Sequence, residues 1–168
     1  MPNKPIRMGL KVFAICNSAF GYTNCFQVAS GVENKEDSRT FGATAAMVVH
    51  LTRLLPGTGY NLHMDNYFSM QTLFRYITST LLHNVAGTLR SNRIPKLLIG
   101  NKITAHVGEI QTVSTTDTGA PSTAVRWMDK GMVYFLSTMH DHNLEAQSVS
   151  RRHGSSILQV PAPKVAVD

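Results

Sequence analysis

The stretch Gly59-Tyr60-Asn61-Leu62-His63-Met64-Asp65-Asn66-Tyr67-Phe68 decides how this chain folds. Tyr60, Leu62 and Met64 alternate with polar residues, the pattern of a short strand, and the run stops at an acid. Ser69 follows with the chemistry of a helix N-cap. Beyond it Met70, Leu73, Phe74, Ile77 and Leu81 fall on a single helical face. Asp65 therefore belongs at a strand-to-helix corner, where open α/β sheets collect ligands because the strand fixes the carboxylate while the loop leaves it accessible. Two readings of Asp65 stand: a residue that turns or caps the chain, and a ligand.

Upstream, Gly9 to Cys16 is apolar on both faces except for Lys11, and Tyr22 to Ala29 is a second β-rich run across the turn-prone Asn17 to Gly21. They predict a hairpin whose first strand is central in a sheet. Gly31 to Gly42 is polar and charged and is expected to be an exposed loop. A helix is expected from Ala43 to Leu55, with Met47, Leu51, Leu54 and Leu55 on its apolar side and Pro56-Gly57 ending it. Downstream of the corner, His83 to Leu89 reads as a strand. Short strands are then expected at Lys102 to Val107, Glu109 to Ser114, Thr123 to Trp127, Met132 to Thr138 and Ala146 to Arg151, with hairpin signals at Gly100-Asn101 and Lys130-Gly131. Pro161-Ala162-Pro163 is expected to be extended and loosely held.

The 168 residues are the size of one domain and, at 43% apolar, can build a core. The net charge of +6 and pI of 9.6 favour an acidic partner such as nucleic acid. Cationic residues cluster only at Arg90, Arg93 and Lys96 and at Arg151-Arg152-His153, which read either as solvated surface or as phosphate contacts. Arg126, beside Trp127, is a further candidate contact. Trp127 itself reads as a base-stacking residue or, alternating with Val125 in a strand, as core. Cys16 and Cys25 lack zinc-ligand spacing and are expected to be reduced, buried thiols. His140-Asp141-His142 reads as a turn rather than a metal site. Asp117, Asp129, Asp141 and Glu145 sit among turn-forming neighbours. No phosphate-binding glycine loop, serine-hydrolase elbow or zinc-protease motif occurs. No apolar run reaches the roughly twenty residues of a membrane span, so a soluble intracellular protein without a membrane partner is expected.

Taken in order, Met1-Pro2-Asn3-Lys4-Pro5, Gly9 to Cys16, Gly21-Tyr22, Met64-Asp65-Asn66-Tyr67-Phe68, Gly87-Thr88-Leu89-Arg90-Ser91-Asn92-Arg93, Val125 to Lys130, Val133 to His140 and Arg151-Arg152 resemble the catalytic domain of piggyBac-type transposases and their domesticated, transposable-element-derived relatives. The resemblance covers nearly the whole chain. It implies an α+β fold: an incomplete ribonuclease-H-like half (strand, strand, helix, strand, helix) over residues 1–89, a β-rich insertion over 90–160 and an extended tail over 161–168. It also implies three carboxylates that hold two Mg²⁺ or Mn²⁺ ions for DNA cleavage and strand transfer. Asp65 matches the second of these acids and is the candidate catalytic and metal-binding residue. The motifs that carry the first and third fall before Met1 and after Asp168, and Asn17 stands where relatives carry an acid. The expectation is a chain inactive in transposition, with no tightly bound metal, weak sequence-independent DNA binding, nuclear residence and self-association through an unpaired sheet edge. A non-catalytic DNA- or partner-binding module and an incomplete version of an active transposase are the alternatives.

Overall fold

The computed structural model describes residues 9–29, 35–94, 106–115, 120–140 and 146–167. The chain forms two compact units, Met1–Thr58 and Gly59–Asp168.

In the first unit, β1 (Val12–Cys16) and β2 (Thr23–Val28) pair antiparallel with a register irregularity after Ile15. The Asn17 side chain sets the turn between them by accepting the N–H groups of Ala19 and Phe20 at 2.9 and 3.2 Å. One face of the ribbon buries Phe13, and the Cys25 thiol donates to the Leu51 carbonyl at 3.6 Å. The other face leaves Val12 and Phe26 exposed. The expected central position of the first strand is not realised, since among the described residues β1 pairs only with β2. The expected loop also contains a helix, α1 (Lys35–Phe41). Its reason is a long-range ion pair: the buried Asp37 carboxylate accepts both Nη atoms of Arg53, at 2.6 and 3.4 Å. Glu36 and Asp37 also suit the positive end of the helix. Helix α2 (Ala43–Arg53) buries Ala45, Ala46, Met47, Val49 and Leu51. Leu54 departs from the expected apolar side and is more than half exposed, because the chain has already left the helix there.

The second unit is built on a five-stranded sheet in the order β3-β4-β7-β6-β5: β3 (Asn61–Met64), β4 (Asn84–Leu89), β5 (Ile110–Thr115), β6 (Ser122–Met128) and β7 (Met132–Ser137). Among the described strands only β3 and β4 run parallel, joined through α3 (Gln71–Thr80), which buries Leu73, Phe74 and Ile77. Successive strand residues face opposite sides. Val85 and Ala86 are both almost fully buried, so both faces of β4 are covered. The sheet therefore runs across the boundary expected at residue 89, because β7 pairs directly with β4.

The end of the chain folds back as a second ribbon, β8 (Gln147–His153) and β9 (Ser156–Ala162), whose base packs on the sheet. Val160, Ala162 and Val165 join Ala86, Val125, Trp127 and Phe135 in one apolar cluster. Trp127 is core, 3% exposed, with its indole N–H donated to the Pro161 carbonyl at 2.8 Å. That bond and the burial of Ala162 and Pro163 hold the segment expected to be a loose tail. The strand expected at Lys102 to Val107 and the Gly100-Asn101 turn lie largely or wholly outside the described residues, and His106 and Val107 are not in a strand. Lys130-Gly131 does join β6 to β7.

Ser69 does not cap α3. Met70 occupies that position without a side-chain cap, and the buried Ser69 hydroxyl donates backwards to the Asp65 carbonyl at 3.0 Å. At the other end, Leu82 sits at φ 58 while the His83 N–H reaches back to the Ile77 carbonyl at 3.3 Å, a left-handed helix stop without glycine.

Three outcomes follow in urea unfolding. Gly87→Ala is expected to destabilise by about 1–3 kcal/mol through overpacking, because a Cβ there would collide with the Met64 carbonyl oxygen and lie 2.5 Å from Ser69 Oγ. Gly131→Ala, which meets nothing within 4 Å, is expected to be near neutral. Leu82→Gly should stabilise by about 1 kcal/mol by removing the left-handed penalty from an exposed leucine. The buried His83 accepts the Tyr60 N–H on Nδ1 at 3.3 Å, and burial lowers its pKa below the ordinary 6.5. The folded state thus binds fewer protons than the unfolded chain. The His83 contribution is present above pH 6.5 and is lost as pH falls below it, and His83→Gln should flatten that part of the stability profile.

Candidate functional site

Because β3 and β4 are parallel, their carboxyl ends open on the same edge of the sheet. β3 ends at Met64, and the backbone turns at once: the Asp65 carbonyl accepts the N–H groups of Phe68 and Ser69 at 3.0 and 3.1 Å. The exposed Asp65 carboxylate accepts the Asn66 N–H at 2.6 Å on Oδ1. β4 ends at Leu89, and Arg90 to Arg93 then wind through one short 3₁₀ turn. Arg90 Nε donates to Asn66 Oδ1 at 3.3 Å, and its guanidinium lies 5.5 Å from the Tyr67 ring centroid. Arg93 Nη1 donates to the Ser69 carbonyl at 2.9 Å and the Asn66 carbonyl at 3.5 Å. Gly87 lets the two strands close up beneath this arrangement. The corner thus gathers one acid and two guanidiniums. Each guanidinium keeps N–H donors beyond those it uses within the corner, as five donors per arginine require.

The other candidate residues lie elsewhere. Arg126 is 7% exposed within β6 and donates to Gln111 Oε1, so it does not present the phosphate contact expected of it. A position flanked on both sides by buried strand residues, here Val125 and Trp127, has its side chain drawn into the structure whatever its charge. Arg151 is bonded through Nε to Asp129 Oδ1 at 2.9 Å and lies over Trp127. Asp129 is thereby an anchor as well as a turn residue. Arg152 is exposed on β8. Lys96, Asp117, Asp141, His142 and Glu145 lie outside the described residues. His140 Nδ1 is 2.6 Å from Ser137 Oγ, a hydroxyl that also accepts the Met139 and His140 N–H groups, so this pair closes a turn. Both cysteines are free, but Cys16 is exposed rather than buried and Cys25 is half-buried, its thiol pKa raised by desolvation. Sequence reasoning missed Asn66 and Tyr67 as partners of the arginines. Their only signal was adjacency to Asp65, since the contact spans 24 residues.

Asp65 by itself does not fit a pair of divalent metals. Each Mg²⁺ prefers near-octahedral oxygen ligation. Among the described residues no three of His, Cys, Asp and Glu converge, and one Asp65 oxygen is already engaged by a backbone N–H. Among the described residues, too, no helix is long and apolar enough to cross a membrane.

The family model described as "Transposase IS4" matches residues 1–168. Human PiggyBac transposable element-derived protein 3 is 27% identical over 139 residues, covering 80% of this chain and 23% of its own length. The human Chimeric ERCC6-PGBD3 protein matches at 27% over the same number of residues, of which 13% of its length is covered. The chain therefore spans less than a quarter of these relatives. Among solved structures, a piggyBac transposase in a synaptic complex with hairpin DNA superposes with a TM-score of 0.69 at 25% identity, covering 88% of this chain and 30% of that one. An acid at the end of β3, an arginine-bearing turn at the end of β4 and a family match along the whole sequence agree, and the chain belongs to the Transposase IS4 family as a piggyBac transposase-derived protein.

Proposed function

We propose that this chain is a transposase-derived DNA-binding module that engages the phosphate backbone at the corner of β3 and β4 and does not cleave DNA by itself. The observation that carries the reading is the pairing of Arg90 and Arg93 over the Asp65–Ser69 turn, at bond lengths of 3.3 and 2.9 Å to Asn66 and Ser69. Those contacts hold the guanidiniums in place at low entropic cost, and planar guanidiniums suit phosphate oxygens. The net charge of +6 adds non-specific attraction, and the solved relative's own complex with hairpin DNA supports the same partner. Catalytic silence is supported by Asp65 standing, among the described residues, without two further metal-ligating side chains beside it. Nuclear residence is part of the same reading and rests on the likeness to the piggyBac-derived relatives. The exposed Val12 and Phe26 on the β1–β2 ribbon favour self-association.

A second reading is favoured by the 23% of the relative's length that the chain spans. Within a longer polypeptide, Asp65 serves as one of three carboxylates for cut-and-paste transposition in Mg²⁺ or Mn²⁺.

The test uses the 168-residue chain and a random-sequence duplex, followed by fluorescence anisotropy across salt. Arg90→Gln should weaken binding and flatten the slope of log K against log salt by about one. Asp65→Asn should leave affinity unchanged or slightly raise it, because it removes a negative charge beside the phosphate. Affinity indifferent to salt removes the proposal. Strand cleavage in Mg²⁺ or Mn²⁺ that is lost in Asp65→Asn overturns the claim of silence and selects the second reading. In sedimentation, a monodisperse monomer at high micromolar concentration rules out self-association.

A further inference from the structure

We infer that the outer half of the β8–β9 hairpin is an arm that enters the major groove of duplex DNA, a second contact separate from the Arg90–Arg93 corner. The inference rests on the reading of the chain as a DNA-binding module and adds where the duplex is gripped.

A strand lying on a core alternates buried and exposed residues. β9 does so only from Val160 onward, where Val160 and Ala162 are buried and Pro161 is exposed. From Ser156 to Gln159 every residue is exposed, and so is Arg152 opposite. On β8 Ser150 and Arg152 are exposed, while Arg151 between them is half-buried against Trp127 and Asp129, so the continuously exposed run is the β9 side of the ribbon. At about 3.3 Å per residue this exposed run of four on β9 is roughly 13 Å long. The major groove of B-DNA, about 12 Å wide and 8.5 Å deep, admits a two-stranded ribbon of this size.

The chemistry of the arm selects a polyanion. Residues 147–162 contain two arginines and four serines but no aspartate or glutamate. Arg152 has no ion pair or hydrogen bond among the described residues. Its cross-strand neighbour is Ile157, 67% exposed, an apolar side chain of the kind that packs on thymine methyl groups. The base of the arm is rigid. Arg151 is held by Asp129 at 2.9 Å and lies 5.4 Å from the Trp127 ring centroid, while Trp127 grips the Pro161 carbonyl at 2.8 Å. Gly108, at φ +92, backs onto the Pro161 ring, where a Cβ would come within 2.8 Å. A stiff base with an acid-free, solvent-exposed tip is what insertion into a groove requires. An edge that invites another copy of this chain would instead be expected to lack the free cation.

The experiment uses the 168-residue chain with a photo-cross-linking residue at the tip, Ser155→p-benzoylphenylalanine, and a random-sequence duplex, beside anisotropy of Arg152→Gln. The expected results are a protein–DNA cross-link, a several-fold loss of affinity in Arg152→Gln and a salt slope flatter by about one. If Arg90→Gln still weakens binding but Arg152→Gln does not and no cross-link to DNA forms, the arm is refuted while the DNA-binding reading stands. If the unsubstituted chain shows no salt-dependent binding, both fail. Cross-links between copies of the protein, in place of DNA, assign the arm to self-association and overturn the proposal.

Discussion

The close approach of β4 to the end of β3 at Gly87 is the constraint on which the second unit and its candidate site depend. With no Cβ there, the Met64 carbonyl and the Ser69 hydroxyl can occupy space that any other residue would fill. Ser69 then closes the turn onto the Asp65 carbonyl, and this turn presents Asp65 on one side and its own carbonyls to Arg93 on the other. A parallel pair with a helical crossover is costly to assemble because its strands must find each other across the helix. Here the cost is offset where α3 buries Leu73, Phe74 and Ile77.

The described arginines divide by the partners they bond rather than by sequence neighbourhood. Arg126 and Arg53 are spent on structure, one inside the sheet on Gln111 and the other on the Asp37 carboxylate. Arg151 belongs to the base of the hairpin, where its guanidinium is neutralised by Asp129 and covers Trp127. Arg90 and Arg93 are positioned by backbone and amide acceptors, which orient a guanidinium without cancelling its charge. This distinction separates a cation that holds the fold from one that attracts a phosphate. Formal net charge cannot make it, since all of these residues count equally in the sum.

The base of the terminal ribbon shows how a polar bond can place an otherwise unmarked segment. Pro161 and Pro163 lack N–H donors, which is why the segment reads as a loose tail. A proline carbonyl remains an acceptor, and the buried indole of Trp127 needs one. The satisfied indole, together with Val160, Ala162 and Val165 in the apolar cluster, turns the segment into a lid over the sheet.

The sequence alone determined the parts in which local periodicity matches the environment. The strand ending at Met64 and the apolar face of α3 follow from alternation and helical spacing, and the hairpin across Lys130-Gly131 from its turn residues, whereas of the two readings of Trp127 the structure selects core. The family motifs placed Asp65 at its corner in the same way, as a residue bound to the end of one strand. Tertiary structure decided everything that depends on contacts far apart in the chain. Helix α1 exists in a segment that reads as loop because Asp37 meets Arg53 sixteen residues later. Ser69 reverses direction because Gly87 leaves room for it. Arg90 and Arg93 join Asp65 because two strands run parallel and end together, while Arg126 is withdrawn because both faces of β6 are covered. Periodicity encodes which side of an element is apolar, but the partner that arrives on that side is set by the free energy of the whole packed unit, and no local window of sequence contains it.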